Sequence, residues 1–308
     1  MTYLLLVLGF ILLIKGADFF VDGSSKLAKY FRIPSVVIGL TLVAIGTSLP
    51  ELAVSLTAAL KHSSDLSVSN IIGSNLFNLF VILGITSLFK PVIAESSIHK
   101  DYKISILSAL SLLVIILLYH FISGIYMIGR IGGIFLLLFL VYYVGDMIRN
   151  LSIVKESSRD RFEIKNVILI IIGIFMIVLG GELTVNHAVM IAKELGLSER
   201  FIGLTIVAIG TSLPELCTSL VALLKGENDI AVGNILGSNI FNILLILGTS
   251  SFISPLLIHI ESIIDLMIFI IGSIFVLLFL FNDLKISRKE GLVMLFLYLS
   301  YSFYIFFR

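Results

Sequence analysis

The segment IGLTLVAIGTSLPEL, Ile38–Leu52, recurs as IGLTIVAIGTSLPEL at Ile202–Leu216, with 14 of 15 positions identical. A second segment, NIIGSNLFN at Asn70–Asn78, recurs as NILGSNIFN at Asn234–Asn242 with seven of nine positions identical. Both pairs are 164 residues apart, and no gap is needed between them. The chain is therefore a duplication, and we expect its two halves to share one fold.

The composition is that of an integral membrane protein. Of the 308 residues, 58% are hydrophobic and only 13% are charged, whereas soluble domains carry about 25% charged residues. A net charge of +1 gives no basic field for nucleic acid, and the single Cys217 excludes an internal disulfide framework. The N-terminal apolar segment lacks a positive n-region and a cleavage site, so it reads as a first transmembrane helix and not as a signal peptide.

Hydropathy predicts an all-α fold of ten transmembrane helices, five in each half. The predicted spans are 3–21, 36–60, 67–89, 103–121, 124–147, 165–187, 200–224, 231–253, 262–281 and 289–307. The segment 149–165 has eight charges in seventeen residues and predicts a linker. It separates a first five-helix repeat, 1–148, from a second, 166–308.

An odd number of spans in each half predicts that the second half enters the membrane from the opposite face. Transporters built from such inverted repeats bind their substrate near the bilayer midplane, where broken helices of both halves meet. Fifteen Lys and Arg flank the spans on the side of the 149–165 loop, against five on the other side. The positive-inside rule predicts a multi-pass protein of the cell membrane, with this loop cytoplasmic and both termini outside.

The repeated segments place a proline and a glutamate within apolar spans. Pro50 has no N–H to donate to the carbonyl of Gly46, and Pro214 repeats this in the second half, so carbonyls around 44–47 and 208–211 are candidate ligands. The alternative is that each proline only kinks its helix and that Thr and Ser hydroxyls donate hydrogen bonds to the freed carbonyls. Glu51 and Glu215 argue against it, because a carboxylate at membrane depth costs on the order of 3 kcal/mol. A protonated or water-exposed glutamate is the remaining alternative.

Helical spacing groups further oxygen atoms around each glutamate. The stripe in the first half is Thr47, Ser48, Glu51 and Ser55, with Asn70, Ser74 and Asn78 on the next span. The second half repeats it as Thr211, Ser212, Glu215 and Ser219, with Asn234, Ser238 and Asn242. Asn75 and Asn239 fall about 100° off the stripe and rank lower. Interhelical hydrogen bonding is the alternative role of such a stripe, but two carboxylates among so many oxygens favour a hard cation such as Ca²⁺.

Other polar residues in the spans are interpreted as structural. Asp18 and Glu182 are repeat partners near the ends of spans 1 and 6, where solvation at the helix end favours them over a role in an ion path. Asp65 and Asp229 precede spans 3 and 8, as N-cap residues do. Cys217 has Ala53 as its repeat partner, so it is interpreted as a buried small apolar residue outside the duplicated chemistry.

GTSLPE and GSNxFN, each present twice and in order, resemble the signature repeats of the sodium/calcium exchangers of the calcium/cation antiporter superfamily, particularly the compact prokaryotic type. The resemblance covers the whole chain. It implies exchange of Na⁺ for Ca²⁺ by alternating access, with spans 1 and 6 sliding across the other eight, and neither a cofactor nor a protein partner. The side-chain ligands it implies are Glu51, Glu215, Ser48, Ser212, Ser74, Ser238, Asn78 and Asn242, and the backbone ligands are Ala44, Thr47, Ala208 and Thr211.

Some relatives carry Asp where this chain has Asn242, which leaves two carboxylates here and bears on stoichiometry and on any need for K⁺. An H⁺-driven exchanger, or one for another divalent ion, is the alternative within transport. A cation channel is less consistent with twin glutamates on inverted repeats. An enzyme is not indicated, because HExxH, a nucleophile elbow and a phosphate-binding glycine loop are absent from the sequence.

Overall fold

The computed structural model describes residues 2–93, 98–151, 163–196, 208–283 and 285–307, and nearly all of them are helical. The helices of the first half are α1 (Thr2–Phe31), α2 (Ser35–Ile38), α3 (Ala44–Thr47), α4 (Leu49–Leu60), α5 (Ser64–Phe77), α6 (Leu83–Phe89), α7 (Ile98–Ser123) and α8 (Arg130–Arg149). Those of the second half are α9 (Ile164–Glu194), α10 (Ala208–Thr211), α11 (Leu213–Leu224), α12 (Asn228–Phe241), α13 (Gly248–Ile253), α14 (Ile260–Asp283) and α15 (Arg288–Phe307).

Short π-helical segments and two-residue strands complete the described elements. The π-helical segments are π1 (Gly39–Val43), π2 (Asn78–Ile82) and π3 (Asn242–Leu247). The strands are β1 (Val92–Ile93), β2 (Met127–Ile128), β3 (Leu256–Leu257) and β4 (Lys285–Ile286). Strand β1 pairs antiparallel with β4, and β2 with β3, so each pair joins one half of the chain to the other.

Eight helical stretches among the described residues are long and apolar enough to cross a membrane, which agrees with the predicted fold class. A ninth is obtained if Ser35–Thr47 and Leu49–Leu60, which meet at an angle of 51°, form one bent span. The predicted span 200–224 is covered in part by α10 and α11, but residues 200–207 lie outside the described residues. Most of the predicted 149–165 linker also lies outside them, so the count of ten stays a prediction.

Several helix boundaries differ from the sequence prediction, and three of them bear on polar residues. Helix α1 continues ten residues past the predicted end at residue 21, because its polar last third finds charged partners on the second half, as described below. Helices α5 and α12 begin three residues before predicted spans 3 and 8. Asp65 and Asp229 therefore lie in the first helical turn, and the N-cap assignment is wrong. Asp65 contacts His259 instead, with 3.0 Å between Oδ2 and Nε2.

The repeated segments of the two halves form the centre of the protein. Most of α5–α6 and nearly all of α12–α13 are buried, whereas α8 and α15 turn most of their surface outward. The outward surface consists of large apolar side chains such as Phe135, Leu138 and Phe296, as expected for contact with lipid. The polar residues of the repeats therefore lie inside the protein and not at its surface.

Helices α1 and α9 run antiparallel in backbone contact through a glycine seam, formed by Gly9 and Gly16 on α1 and by Gly173 and Gly180 on α9. A Cβ on Gly16 would lie 2.9 Å from the carbonyl oxygen of Gly173, and one on Gly180 would lie 2.8 Å from that of Gly9. Both distances are too short for a Cβ, so only glycine permits this approach. On each helix the two glycines are seven residues apart, which is two turns and hence one face.

Candidate ion-binding site

The bend between α3 and α4 puts Glu51 at the beginning of a helix. Ser48 leaves helical geometry (φ −85°, ψ 11°), and Pro50 stands in the first turn of α4, where a missing N–H costs nothing. Glu51 lies in the same turn, so the positive end of the α4 dipole stabilises its carboxylate. The second half repeats this with Ser212 (φ −92°, ψ 4°), Pro214 and Glu215 at the start of α11.

Glu51 and Glu215 are fully buried, and each accepts hydrogen bonds from serine hydroxyls. Oε1 of Glu51 accepts hydrogen bonds from Ser74 (3.0 Å) and Ser212 (3.4 Å), and Oε1 of Glu215 accepts one from Ser48 (2.8 Å). Ser48 and Ser212 each bond the glutamate of the opposite half. No Lys, Arg or His of the described segments forms an ion pair with either glutamate.

Five of the predicted ligand atoms are buried and accept no ordinary hydrogen bond from the described residues. They are Oε2 of Glu51, Oε2 of Glu215, Oδ1 of Asn78, Oδ1 of Asn242 and the hydroxyl oxygen of Ser238. A buried polar atom without a partner costs about 1–3 kcal/mol, so such atoms are rare in folded proteins. A hard cation coordinated by these oxygens would satisfy them.

Asn70 and Asn234, which lie on the predicted polar stripe, tie helices together. Asn234 accepts a hydrogen bond from the Thr47 hydroxyl (3.0 Å) and donates one to the Ser219 hydroxyl (2.9 Å). In the other half Asn70 accepts from the Thr211 hydroxyl (3.4 Å) and donates to the Ser55 hydroxyl (3.0 Å). The side chains of Thr47 and Thr211 are therefore occupied by cross-half hydrogen bonds, which hold the bent helices against α12 and α5.

The Ala44 carbonyl is not freed by the proline. It accepts the N–H of Ser48 (3.1 Å) and the hydroxyl of Thr47 (3.3 Å), because the helix stays regular until it breaks at Ser48. The prediction that Pro50 frees the carbonyls of 44–47 as a group is thus too broad, and a cation at Ala44 would share the carbonyl with these donors. In the second half the N–H of Ser212 donates to the carbonyl of Ile209 (3.1 Å).

The polar stripe misses two asparagines. Asn75 and Asn239 are both buried, and the Asn75 amide nitrogen donates to the Asn239 backbone oxygen at 3.2 Å, across the contact between the halves. Helical periodicity ranks them low because it gives only the face of the helix on which a residue lies. It does not show which residues of the other half pack against that face. Their identity in both copies of GSN was the signal that would have found them.

A cavity of about 750 Å³ leads toward the bend of the second half. It lies between α4, α9 and α11, and its lining includes Ala53, Lys61, Glu182, Thr211 and Pro214. Glu182 is exposed in it, so its side chain is available to a cation in the cavity. The cavity ends beside residues that directly neighbour Ser212 and Glu215 in the chain.

At the other end of α1 the equivalent position is occupied by a group of ion-paired and hydrogen-bonded residues, Asp18, Asp22, Ser25, Lys29, Lys225 and Glu227, here called the Lys225 cluster. Nζ of Lys225 lies 2.6 Å from an oxygen of Asp18 and 2.6 Å from one of Asp22, both on α1. Glu227 accepts a hydrogen bond from Ser25 (2.5 Å) and pairs with Lys29 (3.3 Å). The sequence analysis assigned Asp18 only to solvation at a helix end. In the structure it also forms an ion pair with Lys225, just after α11.

A family model described as "Sodium/calcium exchanger protein" matches residues 1–148 and 165–307. The chain belongs to the sodium/calcium exchanger family. Its members are transporters and not enzymes, so this exchanger is a multi-pass membrane antiporter of cations. The family also bears out the resemblance carried by GTSLPE and GSNxFN.

Individual relatives agree with the family over almost the full length. This exchanger is 35% identical to the "Putative antiporter CaxA" of Alkalimonas amylolytica, with 97% of each chain covered. It is 32% identical to the "Sodium/calcium exchanger MaX1" of Methanosarcina acetivorans, with 99% of each chain covered. A solved structure of the sodium-calcium exchanger NCX_Mj superposes with a TM-score of 0.84 at 34% identity, covering 97% of this chain and 96% of that one.

Proposed function

We propose that this exchanger binds Na⁺ and Ca²⁺ in turn at one site built from both halves, and that the Na⁺ gradient drives Ca²⁺ transport. The proposed ligands are the residues that the sequence analysis assigned, with the side chains of Glu51 and Glu215 at the centre. The observation that carries the proposal is the pair of buried glutamates, each bonded by a serine of the opposite half. Neither glutamate has a basic partner within the described residues, so a cation is the charge that would balance them.

Charge counting supports exchange that needs no K⁺. The site holds −2 if both glutamates are ionised, and one Ca²⁺ or two Na⁺ neutralise it. Asn78 and Asn242 are neutral, and in the described part of the chain no three His, Cys, Asp or Glu side chains lie so that they could hold a metal ion together. A third Na⁺ would leave one surplus charge and make transport electrogenic, at about 2.3 kcal/mol per charge per 100 mV. We propose this electrogenic case because the family resemblance implies it.

The two ends of α1 and α9 support alternating access. The cavity ends beside the site at the Lys61 end, while the Lys225 cluster ties α1 to the end of α11 at the Lys225 end. With the 149–165 loop cytoplasmic and both termini outside, the open end faces the exterior. Sliding of α1 and α9 across the remaining helices would close the Lys61 end and open the Lys225 end. No cofactor and no protein partner enter this proposal.

Ca²⁺ flux into proteoliposomes tests the driving ion. Vesicles loaded with Na⁺ and diluted into choline or Li⁺ medium without K⁺ are expected to take up Ca²⁺, and vesicles without protein are the control. Uptake that requires added K⁺ would contradict K⁺ independence. Uptake that follows a pH gradient and ignores Na⁺ would identify an H⁺-driven exchanger, and Ca²⁺ entry without any counter-ion would identify a channel.

Single cysteines test the orientation. In a Cys217→Ala background, Ser157→Cys in the linker is expected to react with an impermeant thiol reagent only from the cytoplasmic side. Arg308→Cys at the C-terminus is expected to react only from the outside. Reaction of both from the same side would contradict the odd number of spans in each half.

A further inference from the structure

Asn78 and Asn242, the two asparagines among the proposed ligands, each donate a hydrogen bond from the side-chain amide nitrogen. Nδ2 of Asn242 donates to Oδ1 of Asn75 at 3.0 Å, and Nδ2 of Asn78 donates to Oδ1 of Asn239 at 3.2 Å. Each hydrogen bond crosses from one half to the other. All four side chains are buried, at 0–1% exposure. The bond occupies the nitrogen end of each amide, so the oxygen end must point elsewhere.

The oxygen ends are the atoms left without a partner. Oδ1 of Asn78 and Oδ1 of Asn242 accept no hydrogen bond from the described residues. An asparagine amide rotates readily between two orientations that exchange its oxygen and nitrogen. Only one of these orientations offers a cation an acceptor, whereas the other presents two N–H groups that a cation repels.

We infer that Asn75 and Asn239 are positioning residues that fix the amide orientation of Asn242 and Asn78, and so select the oxygen as the ion ligand. This inference rests on the proposed function. Asn75 is itself fixed, because its nitrogen donates to the backbone oxygen of Asn239 at 3.2 Å. Its oxygen therefore faces Asn242. Each half of the repeat supplies the residue that orients the ligand of the other half.

The same arrangement favours a neutral amide over a carboxylate at position 242. An aspartate there has no N–H to give to Oδ1 of Asn75, so two acceptor oxygens would face each other. Relief requires either that Asn75 rotate, which breaks its hydrogen bond to Asn239, or that the aspartate take up a proton, which leaves it neutral. Asn75 thus helps to hold the site at two carboxylates, on which the charge counting of the proposed function depends.

Ca²⁺ dependence of Na⁺-driven uptake tests the inference. Asn75→Leu keeps the branched shape and removes both the donor and the acceptor. We expect it to raise the KM for Ca²⁺ about tenfold, the size of effect that one neutral hydrogen bond carries, with a smaller change in the maximal rate. In an Asn242→Ala background, Asn75→Leu should raise KM no further, because the amide that it orients is gone. A merely structural role would give the same increase in both backgrounds.

Controls separate this inference from the proposed function. Thr86→Val is matched in kind, because Thr86 is buried and its hydroxyl bonds only carbonyls of its own helical stretch; its KM should equal that of wild type. If Asn75→Leu does not fold, Asn75→Ser is used in the same cycle. A wild-type KM in the Asn75 variants, while Glu51→Gln is inactive, overturns the inference and leaves the function standing. Transport by Glu51→Gln overturns the function itself.

Discussion

Lys225 and Lys61 occupy equivalent positions 164 residues apart, just after α11 and α4, and their surroundings are opposite. Lys225 pairs with two aspartates of α1, whereas Lys61 lines a cavity of about 750 Å³ beside α9. The centre of the protein shows much less contrast, because Glu51 and Glu215 are equally buried and each is bonded by the equivalent serine of the opposite half. One difference is that Ser74 also bonds Glu51, whereas its repeat partner Ser238 makes no ordinary hydrogen bond to either glutamate. The repeat is thus nearly symmetric at the site and asymmetric at the two routes that lead to it.

The asymmetry has a cause in the sequence. Asp18, Lys29 and Lys225 of the cluster keep partners of the same charge in the other copy, but three other cluster residues have partners that lack their charge or hydroxyl. The differing pairs, cluster residue first, are Asp22 and Asn186, Ser25 and Val189, and Glu227 and Ser63. The proposed ion ligands are thus identical in the two copies, whereas three residues of the Lys225 cluster differ.

The largest effect is expected from the symmetric centre. Glu51→Gln and Glu215→Gln should each reduce Na⁺-driven Ca²⁺ uptake by about a hundredfold or more, because each removes half the charge of a buried site. Proteoliposome flux measures this, with size-exclusion profiles to verify folding. Glu194→Gln, at the exposed end of α9, is the control and should transport normally. A strong defect in only one glutamate variant would break the symmetry inferred for the centre.

Thiol accessibility should show the next largest contrast. Ala53 and Cys217 are repeat partners; Ala53 lines the cavity, and Cys217 packs partly buried against the cluster around α1. In detergent, where both sides are exposed to reagent, Ala53→Cys in a Cys217→Ala background should react with a maleimide at least about tenfold faster than native Cys217. Mass spectrometry of timed samples measures the rates. Equal rates would mean that the two routes are equally open.

Breaking the Lys225 cluster should reduce that contrast. Lys225→Met removes both ion pairs to α1, and exposed pairs contribute about 0.2–1 kcal/mol each. We expect Cys217 to react about threefold faster, as the population shifts toward a conformation open at this end. Lys61→Met is the matched control, since Lys61 forms no ion pair with any described residue. If Cys217 reacts at the same rate in Lys225→Met as in Lys61→Met, the cluster has no role in closing this end of the protein.

The smallest effect is expected at Glu227. Glu227→Gln keeps an acceptor for the Ser25 hydroxyl and loses only the attraction to Lys29, whose side chain is half exposed. The Cys217 reaction rate should therefore change less than twofold in physiological salt, where such a pair is screened. An effect as large as that of Lys225→Met would show that the charge of Glu227, and not its hydrogen bond, holds this end closed.

Much of the site was accessible from the sequence because both copies carry the same information. The repeat placed Ser48 and Glu51 on one face of a span and Ser74 on the next span. In the structure Ser74 bonds Glu51, and Ser48 bonds Glu215, the repeat partner of Glu51. Asp18 and Asn75 were not accessible in the same way. Helical periodicity gives the face on which a residue lies, but the partners of both residues come from the opposite half, at a distance in sequence that periodicity does not reach.

The glycine seam determines how the two routes can respond to one another. Helices α1 and α9 are in backbone contact at Gly9 with Gly180 and at Gly16 with Gly173, and no side chain between them could yield. In the alternating access proposed above, we therefore expect the two helices to slide as one body, so that a displacement that widens the space at one end narrows it at the other. A continuous path across the membrane, through which both ion gradients would dissipate, would then not form.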